Sequence, residues 1–175
     1  MNYIEIGKDW VNDFFIKKGE LFLEVMNLLW KRASQDTKAI DQLIKKYFQQ
    51  AKDILEIMCG NGRISIHLAK IGYNVTGIDF SKIFIDDAKR KAKENNIEDK
   101  VNFVHGDVRE LDKYFNKNSF DVVLSIWTSI GYFGEEEDIK IFKKVWEITK
   151  PNGLFLILNT TSRERIIKIF FPKRL

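Results

Sequence analysis

A single cysteine, Cys59, stands in the 175 residues, so no internal disulfide is available and the chain reads as a protein of a reducing compartment. Long apolar runs are missing as well, and nothing approaches the length of a membrane span. The first residues, Met1 to Asp9, place Glu5 and Asp9 where a signal peptide would have an apolar core. The expectation is a cytoplasmic protein with no membrane contact. Charge of one sign is modest: a net +4, with lysines scattered among acids, permits a nucleic-acid partner without suggesting one. Histidine is scarce, and neither His67 nor His105 has a spaced Cys, His or acid companion, so no metal site is expected. Repeats, low-complexity tracts and linkers are lacking too, which leaves one domain over residues 1–175.

What is present is a globular composition, 45% hydrophobic and 31% charged, long enough to bury a sizeable core. Two helices are expected first. Phe14, Leu21, Phe22, Val25, Met26, Leu28 and Leu29 recur at helical steps between Asp9 and Leu29, with Gly19 as a break or kink. Ile40, Leu43, Ile44, Tyr47 and Phe48 give an apolar face to a second helix from Thr37 to Gln50, capped at Asp36 or Thr37. Together they form an accessory layer, residues 1–50, ahead of a core over 51–175. From Asp53 onward short apolar strands alternate with helical segments, which predicts parallel βαβ units with right-handed crossovers. Gly72 ends the helix that carries Ile64, Leu68 and Ile71, and Ser81 is placed to cap the next. Further helices are expected from Asp138 to Thr149, behind the run Glu135 to Asp138, and after the capping-box spacing Thr161-Ser162-Arg163-Glu164.

The most informative stretch runs from Asp53 to Ser65. An apolar strand enters a turn containing Gly60 and Gly62 and then a helix, the arrangement with which α/β proteins hold a nucleotide-like cofactor. The usual G-x-G-x-x-G reads Gly60-Asn61-Gly62-Arg63-Ile64-Ser65, with Ser65 at the third glycine. A second strand, Asn74 to Asp79, ends in an acid at about the spacing of a carboxylate that accepts ribose hydroxyls. A third, Val101 to Val104, leads into His105-Gly106-Asp107-Val108, and a fourth, Phe120 to Ser125, into Ile126-Trp127-Thr128-Ser129. Plainer readings exist for each acid. Glu56 could be an edge residue, although burying it costs free energy unless a polar group awaits it. Asp79 could cap the helix after Ser81, and Asp107 reads equally as turn chemistry. Cys59 reads as a small filler, His67 as a packed helix residue and His105 as a loop histidine.

Taken in order, these residues resemble the class I S-adenosylmethionine (SAM)-dependent methyltransferases of the small-molecule type, over roughly Asp53 to Asn159. The family's E/D-x-G-x-G-x-G reads Glu56-Ile57-Met58-Cys59-Gly60-Asn61-Gly62, with Met58 in place of the first glycine. The resemblance implies a Rossmann-like doubly wound parallel sheet in the order 3-2-1-4-5 and SAM as cofactor. It implies that Glu56 and the loop of Met58, Gly60 and Gly62 hold the methionyl end. Asp79, followed by Phe80, would hold the ribose, and Asp107 with the Val108 N–H the adenine, Ser125 completing the set at the end of strand 4. Trp127 to Phe133 resembles the segment after strand 4 of small-molecule methyltransferases, Trp127 offering an aromatic face near the sulfonium. Pro151-Asn152-Gly153 resembles the turn into strand 5, Leu154 to Leu158. No residue announces itself as a general base, with Tyr132 and His105 as candidates. The base-methylating Asp/Asn-Pro-Pro-aromatic segment is replaced by Ser125-Ile126-Trp127-Thr128, so a small molecule leads as methyl acceptor. Two rival readings are a nicotinamide-dependent oxidoreductase and a non-catalytic SAM-binding protein. The family's sheet normally continues beyond strand 5, and few residues follow Asn159 here. Strand 5 would then be an exposed apolar edge, which a partner or second copy covers, or the last helix folds over, or else the sequence is a fragment of a longer protein. The expectation is SAM binding with weak or absent methyl transfer by the isolated chain, and self-association.

Overall fold

Strand pairing alone accounts for the frame. The computed structural model describes residues 10–127 and 129–158. In it β1 (Asp53–Ile57), β2 (Asn74–Asp79), β3 (Val101–His105), β4 (Phe120–Ile126) and β5 (Thr149–Leu158) form one sheet ordered β3-β2-β1-β4-β5. All four pairings are parallel. This is the doubly wound α/β order expected from the sequence. Because β1 is central, both its faces are buried: Ile54, Leu55 and Ile57 have no exposed surface. Ile54 joins Val122, Leu124 and Ile126 on one face, under Ile44, Ile64, Leu68 and Ile85 of the helices. Leu55, Ile57 and Val123 form the other, under Ile141, Val145 and Ile148.

The helices are α1 (Trp10–Asn12), α2 (Gly19–Leu28), α3 (Ala33–Tyr47), α4 (Arg63–Lys70), α5 (Lys82–Glu94), α6 (Leu111–Tyr114) and α7 (Glu135–Ile148). The N-terminal layer departs from the single helix expected over Asp9 to Leu29. After α1 the chain tightens into a π-helical turn, Asp13–Lys17, and α2 begins at Gly19. A Cβ on Gly19 would come within 3.1 Å of Ile83, so the start of α2 lies hard against α5. The second helix starts earlier than expected, because a 3-10 turn, Leu29–Arg32, feeds directly into α3. Thr37, read as a cap, is buried inside that helix.

Strand 5 also begins before its expected start. Phe120 pairs with Thr149 and Val122 with Leu154, so the Pro151-Asn152-Gly153 turn is absorbed as an irregularity in the ladder, with Asn152 at φ 64°. Among the described residues β5 is the outer strand, with Ile157 exposed. The expected helix after Thr161 lies outside the described residues. No described helix is long and apolar enough to cross a membrane. The order reverses between β1 and β4, and a crevice at the carboxyl ends of these strands is the place where such sheets take ligands.

Candidate functional site

Three residues of the β1–α4 turn have left-handed backbones: Met58 at φ 54°, Gly60 at 56° and Gly62 at 72°. At Gly62 the conformation comes with a close approach, since a Cβ there would lie 2.4 Å from Phe103 and 3.0 Å from Ala88. A Cβ on Gly60 would stand 2.8 Å from the Met26 sulfur of α2. The turn is thus held between the sheet and the N-terminal helices. Asn61 donates its side-chain amide to Asn27 Oδ1 of α2 at 3.1 Å. Met58 occupies the position where the family pattern has glycine, and its backbone has the conformation that glycine favours. For a methionine that costs about 1–2 kcal/mol. Its side chain packs on the Leu55 and Ile57 core and lines the cleft. Cys59 is buried, as its reading as a filler requires, and burial pushes its thiol up.

A cleft of about 930 Å³, its open mouth included, lies over the carboxyl ends of the strands. Of the expected set, Glu56, Met58, Gly60, Asp79, Phe80, Asp107 and Val108 line it. Gly62 sits just behind, at the entry to α4. Ser125 is not on the wall. It is fully buried in β4 with no partner for its hydroxyl among the described residues, and the strand reaches the cleft through Ile126 and Trp127.

The acids differ in state. Glu56 is 4% exposed and accepts hydrogen bonds from the backbone N–H and the hydroxyl of Ser65. Burial pushes its carboxyl up to about 7, against those bonds and the nearby Arg63 charge. Asp79 accepts the Gly60 N–H at 2.8 Å on one oxygen and the Ser81 N–H at 2.9 Å on the other. It therefore does cap the turn before α5, and it ties that turn to the glycine loop. Burial raises Asp79 to about 6. Two desolvated carboxylates thus stand at neighbouring strand ends on one cleft, where an ammonium or a vicinal diol as further donors would favour their ionised forms. Asp107 takes the turn-chemistry role: its side chain accepts the Arg109 backbone N–H at 2.9 Å and pairs with the Arg109 guanidinium. Partial burial pushes it up, but Arg109 outweighs this and holds it below the ordinary carboxylate range.

The N-terminal helices, expected as an accessory layer, instead roof the cleft. Phe15 and Phe22 line it together with Tyr132 and Phe133 from the segment after β4. Phe15 stacks on Tyr132 with centroids 5.3 Å apart and meets Phe22 edge-on at 5.0 Å. Ser81 holds this roof down. It stands at the N-cap position of α5, yet its hydroxyl donates to the Phe15 carbonyl at 3.1 Å instead of capping. The helical period of residues 14–29 was visible in the sequence, but not which part of the core it would cover. Arg63, also unremarked, is buried on the cleft wall and paired with Asp36 of α3 at 2.6 Å. Trp127 lines the cleft at φ 76°, with the Arg63 guanidinium 5.4 Å from its ring centre. His105, the candidate base, contacts the Phe80 carbonyl at 3.0 Å and does not line the cleft, whereas Tyr132 does. His67 packs edge-on to Trp30, as expected of a helix residue.

Comparison with known proteins agrees with this geometry. A family model described as methyltransferase domain matches residues 54–153. The ubiquinone biosynthesis O-methyltransferase of Rickettsia akari is 36% identical over 113 residues, covering 65% of this chain and 41% of that protein. The demethylmenaquinone methyltransferase of Lactobacillus johnsonii is 30% identical over 125 residues, covering 67% and 49%. The crystal structure of the PH0226 protein of Pyrococcus horikoshii superposes with a TM-score of 0.66 at 29% identity, over 79% of this chain and 62% of that one. The chain spans just under half the length of the two curated relatives named. With a family match across more than half of its residues, a sheet in the expected order and a glycine turn in place, the chain belongs to the SAM-dependent class I methyltransferases.

Proposed function

We propose that this chain binds SAM across the carboxyl ends of β1, β2 and β3 and directs its methyl group to a small, largely apolar acceptor held beneath the aromatic roof. The carrying observation is the pair of buried carboxylates, Glu56 and Asp79, on one cleft at neighbouring strand ends. Glu56 would accept the methionyl ammonium and Asp79 the ribose hydroxyls, while the Asp107–Val108 turn flanks the adenine. SAM supplies a methyl already activated on a sulfonium. The work left to the chain is alignment and exclusion of water, which its apolar walls and the Phe15, Phe22, Tyr132 and Phe133 cover favour. A small acceptor is in keeping with that lining and with the quinone-pathway names of the two relatives.

Titration of the apo protein with SAM, S-adenosylhomocysteine and NAD, followed by a panel of phenolic and quinol acceptors, tests the reading. Micromolar binding of the two adenosyl sulfur compounds and methylation of a panel member are expected. Heat from NAD alone would replace the reading with the oxidoreductase one. Tight SAM binding with no turnover would leave a binding protein.

A further inference from the structure

We infer that Arg63 is the anchor for the carboxylate of the cofactor's methionyl end, facing Glu56 across the glycine turn. The inference rests on the proposed cofactor reading and adds a residue to it. The Arg63 side chain is 9% exposed, and a guanidinium that deep is expected to have its donors matched. Among the described residues one of its five N–H donors is matched, by Asp36 Oδ2 at 2.6 Å. The remaining donors are not sealed in the core with no partner, and the residue lines the cleft. An ion pair whose only task was to pin α3 to α4 would have no need to lie on the cleft wall. Apolar packing already joins those helices through Ile40, Ile44, Ile64 and Leu68.

The surroundings aim the fork. Asp36 holds one nitrogen from α3, and the guanidinium carbon lies 5.4 Å from the Trp127 ring centre, a cation–π distance. A planar guanidinium fixed at one end and on one face presents paired donors suited to a carboxylate. Arg63 is also the first residue of α4, where the helix N-terminus adds positive partial charge. Glu56 ends up on the other flank of the turn, near enough to feel the Arg63 charge. A ligand carrying both an ammonium and a carboxylate matches that pair of opposite charges, and adenosine alone does not.

The test is a cycle of ligands and variants read by calorimetry. The ligands are S-adenosylhomocysteine, its decarboxylated analogue, which keeps the ammonium, and 5′-methylthioadenosine, which lacks the whole amino-acid end. Wild type should bind S-adenosylhomocysteine about 10- to 100-fold more tightly than the decarboxylated analogue, the scale of a charge-assisted hydrogen bond. Arg63→Met should erase that ratio and leave 5′-methylthioadenosine affinity within about twofold. The double variant Arg63→Met with Asp36→Asn should behave alike, so that an orphaned Asp36 is not the cause. If these variants do not fold, the wild-type ratio and its retention in part by Arg63→Lys decide. A wild-type ratio near one, or equal weakening of all three ligands by Arg63→Met, overturns the inference. Failure of wild type to bind any of the three overturns the cofactor reading instead.

Discussion

Protonation of Glu56 offers the sharpest test of the cleft's electrostatics. Its carboxyl sits at about 7 in the empty protein, against an ordinary value of 4.5, because burial outweighs the two Ser65 hydrogen bonds and Arg63. An ammonium ligand requires the ionised form, and its charge would draw the group back toward its ordinary value. Binding then releases a proton: about half a proton per ligand at pH 7 and nearly one at pH 6. Affinity for S-adenosylhomocysteine should fall about tenfold between pH 8 and pH 6, equivalent to about 1.4 kcal/mol. The stability of the empty protein runs the other way. The folded state holds a proton that the unfolded chain gives up, so this group's contribution is lost as pH rises from about 4.5 to about 7, by up to about 3 kcal/mol. Calorimetry in buffers of different ionisation enthalpy measures the released protons directly. Glu56→Gln removes the titrating group while the ligand's own amine titrates unchanged, so the difference between the two proteins isolates Glu56. Equal proton release by both, or an affinity flat from pH 6 to 8, would refute the reasoning.

Asp79→Ala should weaken S-adenosylhomocysteine by about 1.5–3 kcal/mol, and it should also lower stability, because the Gly60 and Ser81 N–H groups lose their acceptor. Unchanged affinity in calorimetry would place the ribose elsewhere, and an unchanged urea midpoint would deny the structural tie. Met58→Gly relieves a left-handed methionine worth about 1–2 kcal/mol but adds chain entropy and removes core packing, so stability should change by less than about 2 kcal/mol. Ligand binding should tighten if the side chain crowds the cleft it lines, and weaker binding would mean that Met58 supports the cofactor.

The sequence by itself determined the sheet. Alternating apolar strands and helices leave few ways to wind a parallel sheet, and the turn around Gly60 and Gly62 marks the strand end where the ligand cleft opens. Glu56, Asp79 and Asp107 were legible because each stands at a strand's carboxyl end, a position that spacing fixes. Their chemistry was not legible. Whether Asp107 faces a ligand or its near neighbour Arg109 depends on side-chain rotamers that spacing does not set, and how far Glu56 and Asp79 are desolvated depends on side chains distant in sequence. Ser125 illustrates the same limit: strand 4 was expected to end at Ser125 and runs one residue further, to Ile126, and a shift of one residue turns a side chain from cleft to core, so strand period alone does not settle where the wall begins. Only the tertiary structure decided that the π-helical turn with Phe15 and α2 with Phe22 close over the cleft, because an amphipathic helix announces that it has a buried face without naming what it covers. The same holds for Arg63. It follows the glycine pair in the chain, yet its character comes from Asp36 and Trp127, 27 residues before it and on another strand's end.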